Sequence, residues 1–162
     1  MKRQNIYIEL GYLLLLGATF GAVLILGIVV ASTIFNTQTL VIPLELSRYD
    51  QGLIMGEVFR RFSYFTYFMA IVVTMYEVVE YRNLRRDSVA MLSAIVVIFT
   101  LLLFSAVYVP KILELQSLGV AATLSEDFIN IHKASEVDFK ILAVSILILF
   151  IRRVTLLRTI KA

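Results

Sequence analysis

The chain has 162 residues, 60% of them hydrophobic and only 17% charged, with a formal net charge of +3. At a mean hydropathy of +0.89 it is too apolar for an ordinary soluble domain and reads as one small polytopic membrane domain. With no cysteine, disulfides and thiolate metal sites are excluded. No basic stripe with interleaved aromatics lies outside the apolar segments, which argues against a nucleic-acid partner.

In chain order, Leu10 to Phe35 is a run of 26 residues without a charge, more than the roughly 20 needed to cross a hydrocarbon core. It predicts a first, uncleaved span over about 9–35, since the apolar region of a signal peptide is only about 7–15 residues long. Gly17 and Gly21 stand four apart, and Gly52 and Gly56 repeat the spacing, so both pairs are candidates for close helix packing. Asn36 to Thr39 and Pro43 break the first helix. Ser47 and Asp50 form a capping box, so the next helix starts near 48. Its membrane part is expected over about 60–81, entered through Glu57, Arg60 and Arg61. Glu77, one turn from the far end, is expected to pair with Arg86 or Arg152.

A tight loop over 81–88 leads to the third span, 88–109, ended by Pro110 and Lys111. Residues 111–118 follow as a short amphipathic stretch suited to a membrane surface. The uncharged run of the last helix, Ile141 to Ile151, covers 11 residues. It must therefore extend upstream, and Phe128, Ile131, Ser135, Phe139 and Leu142 keep helical spacing back toward Glu126. The fourth span is placed at about 132–154.

With four spans, one side of the membrane carries nine Lys and Arg and the other carries six. By the positive-inside rule both termini are cytoplasmic and the two longer loops face outward. Counting about 20 residues per crossing from the cytoplasmic edge brings Asn36, Glu57, Arg60, Arg61, Tyr108, His132 and Glu136 to one depth at the outer rim. These seven are the candidate ligand-binding residues, and among them the Arg60–Arg61 pair near His132 suits an anionic headgroup or a small organic anion. Snorkelling into the headgroup zone is the bland alternative for the basic ones.

One histidine excludes bis-histidine haem. His132 and Met55 are the weak candidates for copper(I), and no cofactor is expected. Ser135 near His132 lacks a legible oxyanion hole, so no enzyme activity is expected. The functional expectation is a polar pocket serving small-solute or ion binding, transport or resistance. The alternative is an accessory or assembly subunit of a larger envelope complex. The expected partners are the lipid bilayer and a homo-oligomer or a larger membrane complex.

Three stretches carry a family resemblance: GATFGAVLILGIVVASTIFN in the first helix, LSRYDQGLIMGEVFRRFSYF entering the second, and FINIHKASEVDFKIL opening the fourth. They resemble the DUF4149 membrane family of unknown function, which contains the eukaryotic transmembrane protein 205, and more distantly the membrane domain of the copper-resistance protein CopD. The resemblance implies a four-helix bundle of bacterial inner-membrane type without an established activity. The family's AP-x-F pattern at the end of the first helix is missing, because Ala31 to Phe35 contain no proline.

Overall fold

A computed structural model of the chain describes residues 6–40, 46–83 and 86–159. Lys2, Arg3, Pro43, Arg85 and Lys161, which entered the loop and orientation readings, lie outside the described residues. The described residues are helical throughout apart from short connections, with no strand among them. Helix α1 runs over Ile6–Phe35, and a short helix α2 over Thr37–Leu40. Helix α3 covers Arg48–Arg82, α4 Ser88–Ser117, α5 Val120–Thr123 and α6 Glu126–Thr159.

Three of these, α1, α3 and α4, are long and apolar enough to cross a membrane. Their outward faces are apolar as well: Leu14, Ile28, Ile71, Met75, Leu92 and Phe99 are all exposed, the pattern of helices solvated by hydrocarbon. At 35 residues, α3 is about 52 Å long, well beyond the roughly 30 Å hydrocarbon core. Its polar first turns therefore reach past the apolar layer. The expected capping box is present there, with the Ser47 side chain accepting from Asp50 N–H at 3.2 Å and the Asp50 carboxylate accepting from Ser47 N–H at 3.0 Å.

α6 carries too many charges to qualify as a span by composition, yet it packs against α1 and α4. Leu142, Ile146 and Leu149 are fully buried against Leu16, Val97 and Leu101. Small hydroxyl residues let these helices approach closely. Thr19, Ser93, Ser105 and Ser145 each donate to a carbonyl four residues back, which satisfies the buried hydroxyl within its own helix.

Two expectations need correction. Pro110 does not end the third helix, because α4 continues to Ser117. Proline removes one N–H and clashes with the carbonyl four residues back, and here a π-helical turn over Phe104–Tyr108 widens the helix just before it. The stretch expected to lie on the surface is instead the last part of α4, with Ile112 and Leu115 buried. Nor does Glu77 pair with Arg86 or Arg152. Its partner is Arg153, while Arg86 lies over the Tyr81 ring at 4.3 Å and Arg152 binds Asp87 at 3.0 Å.

Asp87 is the N-cap of α4, accepting from Ala90 N–H at 2.9 Å, and holds Arg152 of α6 through both carboxylate oxygens. Those bonds to Arg152, with the cap, pull its carboxyl down to about 2. A carboxyl lowered in the folded state contributes stability above its unfolded pKa, roughly 3.9, and loses it as pH falls toward the folded value. Thermal melting followed from pH 5 down should therefore fall less steeply for Asp87→Asn, which keeps the cap, than for wild type. Parallel pH profiles would contradict the pairing.

Candidate functional site: a groove at one end of the helices

Contacts between helix ends show which residues share a level. Tyr12 with Glu77, and Asp87 with Arg152, gather the start of α1, the end of α3, the start of α4 and the end of α6. At the opposite end, Gln116 of α4 meets Gly52 of α3, its Nε2 donating to Gly52 O at 2.9 Å. Tyr49 hydroxyl donates to Gln116 O at 2.8 Å. Gly119, with φ +96°, makes the turn from α4 into α5, a backbone region that favours glycine.

At this second end lies a groove of about 240 Å³. Phe59, Leu124 and Phe128 supply an apolar lining, and Arg48, Gln116 and His132 supply polar groups. Arg48 is exposed and makes no ion pair among the described residues. His132 stacks on Phe128 at 5.9 Å between ring centroids, and its Nε2 lies 3.3 Å from Glu136. Two buried glutamines stand nearby. Gln51 Nε2 donates to Thr37 Oγ1 at 3.1 Å, and the Oε1 atoms of Gln51 and Gln116 have no hydrogen-bond partner among the described residues. Arg48, Tyr49, Gln51 and Gln116 were not singled out from the sequence. A glutamine inside an apolar stretch is the signal that could have found the last of them.

The seven rim residues do not converge. Glu57 takes hydrogen bonds from Arg60 Nε at 2.6 Å and Arg61 Nε at 2.7 Å, all on the outer surface of α3, and the Arg61 side chain is 77% exposed. The i, i+3 and i, i+4 spacing satisfies these charges within one helix, which removes the reason to turn inward. Asn36 is exposed and donates from Nδ2 to Ser32 O at 2.7 Å. Tyr108 is half-buried on the π turn, and Glu136 is exposed beside His132. Of the seven, only His132 lines the groove.

Met55 lines it too, so the two soft donors considered for copper(I) share one cavity. Met69 is buried elsewhere in the core. Among the described residues no three His, Asp or Glu side chains come together as metal ligands.

The glycine pairs differ. An added Cβ would lie 3.4 Å from Gln116 Nε2 at Gly52, and 2.5 Å from Gln116 Oε1 at Gly56, so this pair seats the end of α4. A Cβ at Gly17 would meet Phe150 at 3.7 Å, an ordinary contact, and at Gly21 it would meet nothing within 4 Å. Gly21 therefore seats no neighbour among the described residues. Gly27 makes an ordinary contact of the same length, 3.7 Å, against Phe139.

The groove residues contributed by α1, α3 and α4 fall within a single family match. A sequence profile described as "Domain of unknown function (DUF4149)" matches residues 14–121, about two thirds of the chain. The chain belongs to the DUF4149 family. No curated protein and no solved structure matches it. The DUF4149 match includes Arg48, Gly56 and Gln116, whereas His132 and the rest of α6 lie beyond it.

Proposed function

We propose that the protein crosses a bacterial inner membrane four times, with both termini cytoplasmic, and binds an amphiphilic anion in the groove at its periplasmic end. The fourth crossing is α6. Its inner face packs on α1 and α4, its outer face exposes Val144, Ile148 and Ile151, and Arg152 and Arg153 tie its end to the level where α1 begins. The positive-inside rule supports the orientation.

The observation that carries the ligand reading is the groove itself. Its lining is apolar enough for an acyl or aryl body, with the exposed Arg48 guanidinium and the His132 ring positioned for a carboxylate or phosphate head. Thermal melting of the detergent-purified protein against a long-chain fatty acid and its methyl ester tests it. Binding at a hundred times the dissociation constant stabilises by about 2.7 kcal/mol. The acid should stabilise wild type, the ester should do so weakly, and Arg48→Ala and His132→Ala should each reduce the acid's effect. Equal shifts from acid and ester, or shifts untouched by both substitutions, would sink the reading.

A second reading is favoured by the outward set of Glu57, Arg60 and Arg61. These exposed charges suit docking to another envelope subunit, and the protein would then be an accessory component. Loss of a co-purifying partner in Arg60→Ala/Arg61→Ala, with fatty-acid stabilisation intact, would separate this role from the groove.

A further inference from the structure

A second feature lies deeper than the groove and is independent of it. Asp138 is 4% exposed on the buried face of α6, and its Oδ2 has no hydrogen-bond partner among the described residues. It stands six residues beyond His132, about 9 Å along the helix. Its neighbour Phe139 packs on Phe104, with ring centroids 5.2 Å apart, and on Phe62 at 6.2 Å. Helical register thus sets Asp138 at the level of the π turn of α4 and the middle of α3.

An ionised carboxylate held there without compensation is costly, and such intramembrane acids mark ion or proton sites. Among the described residues no ion pair reaches it, and Arg60 and Arg61, next to Phe62 on α3, are held by Glu57 on the outer surface. From α4 this level offers Phe104 and Ser105, from α3 Phe62 and Thr66, and from α1 Gly27, none of them charged. Tyr108 is the nearest titratable group on α4. On α6 itself His132 and Glu136 face each other, and Lys140 is exposed. The buried cation Arg153 is 15 residues away, about 22 Å along α6.

The polar atoms at this level are oxygen acceptors. Thr66 and Ser105 hydroxyls hydrogen-bond each other across α3 and α4, one donating and the other accepting, and each also lies within hydrogen-bond reach of a carbonyl of its own helix, Ser63 O and Leu101 O. Hydroxyl and carboxylate oxygens are hard donors of the kind that small cations prefer, and helical register sets these at about the depth of Asp138.

We propose that Asp138 anchors a binding site for a small monovalent cation, a proton or a sodium ion, at the level of Thr66 and Ser105. A hydrophobic carbodiimide, which modifies acids in apolar surroundings only in their protonated form, reports both occupants. The full chain in detergent is treated in sodium-free buffer and in sodium at matched ionic strength with choline as control, and adducts are mapped by mass spectrometry.

An adduct at Asp138 in sodium-free buffer supports the site. Its persistence in sodium identifies the proton as occupant, and its loss in sodium but not in choline identifies sodium. Asp138→Asn should lose the adduct while keeping its melting profile. If that variant fails to fold, the wild-type mapping alone decides. No adduct at Asp138 in either buffer, or adducts confined to Glu9, Glu77 and Glu80, overturns the proposal.

Discussion

Arg153→Ala is expected to be among the most damaging single substitutions in the chain, lowering stability by about 3–5 kcal/mol, the cost of stripping one partner from a buried ion pair. Arg153 is 7% exposed and binds two carboxylates of α3. Its Nε and Nη2 hold Glu77, and its Nη1 donates to Glu80 Oε2 at 3.1 Å. Tyr12 of α1 donates to Glu77 Oε1 at 3.0 Å and stacks on Tyr76 at 3.7 Å, so one guanidinium joins three helices.

Removing it takes away the cation that two buried carboxylates share. Arg153→Lys should recover only part of the loss, because an ammonium cannot make the planar two-atom contact with Glu77 while reaching Glu80. Arg153→Met combined with Glu77→Gln and Glu80→Gln should recover more, since replacing a whole buried ionic set costs less than breaking it. Urea or thermal unfolding in detergent reads all three. Arg153→Ala unfolding together with wild type would show that the network is not what joins the helices.

Gly56→Leu should be the second large effect, a destabilisation of about 1–3 kcal/mol from overpacking, together with loss of fatty-acid stabilisation. The first atom of any side chain at this position would sit 2.5 Å from Gln116 Oε1 and 3.1 Å from Leu113 Cδ2. Gln116 cannot swing away freely, because its Nε2 is bonded to Gly52 O. Gly21→Ala is the matched control: its new methyl meets nothing, and replacing a mid-helix glycine should be neutral or stabilising by about 0.5–1 kcal/mol. Unfolding midpoints that rank Gly21→Ala below Gly56→Leu would contradict the assignment of these two surfaces.

What could be read in the sequence was what depends on neighbours along the chain. Uncharged runs located the helices, the Ser47–Asp50 cap began the second long one, and the spacing of Glu57 with Arg60 and Arg61, and of His132 with Glu136, gave contacts present in the structure. Depth alone, however, does not give direction. Seven residues at one level were expected to share a pocket, but intrahelical pairing satisfies Glu57, Arg60 and Arg61 on the outer surface of α3, and only His132 lines the groove.

The buried arginine was missed for the opposite reason. Arg153 sits beside Arg152 in a basic tail, where snorkelling is the ordinary expectation, and only Glu77 hinted at a partner inside. Glu9 and Glu80 stand near that end of their helices too, and three carboxylates there were the available signal. The groove had no signature of its own. It depends on α4 passing Pro110 through a π turn and on the Gly119 turn into α5, both of which set directions that periodicity does not encode.

The most direct measurement is photo-crosslinking of the protein in liposomes with a fatty acid carrying a diazirine near the chain end, with adducts mapped by mass spectrometry. The groove reading predicts adducts concentrated on Phe59, Leu124 and Phe128 and removed by excess unlabelled acid. Adducts spread over the outward faces of the helices, at Leu14, Ile71 and Phe99, and insensitive to competitor would mean that the acid only dissolves in the surrounding lipid, and would contradict a ligand-binding groove.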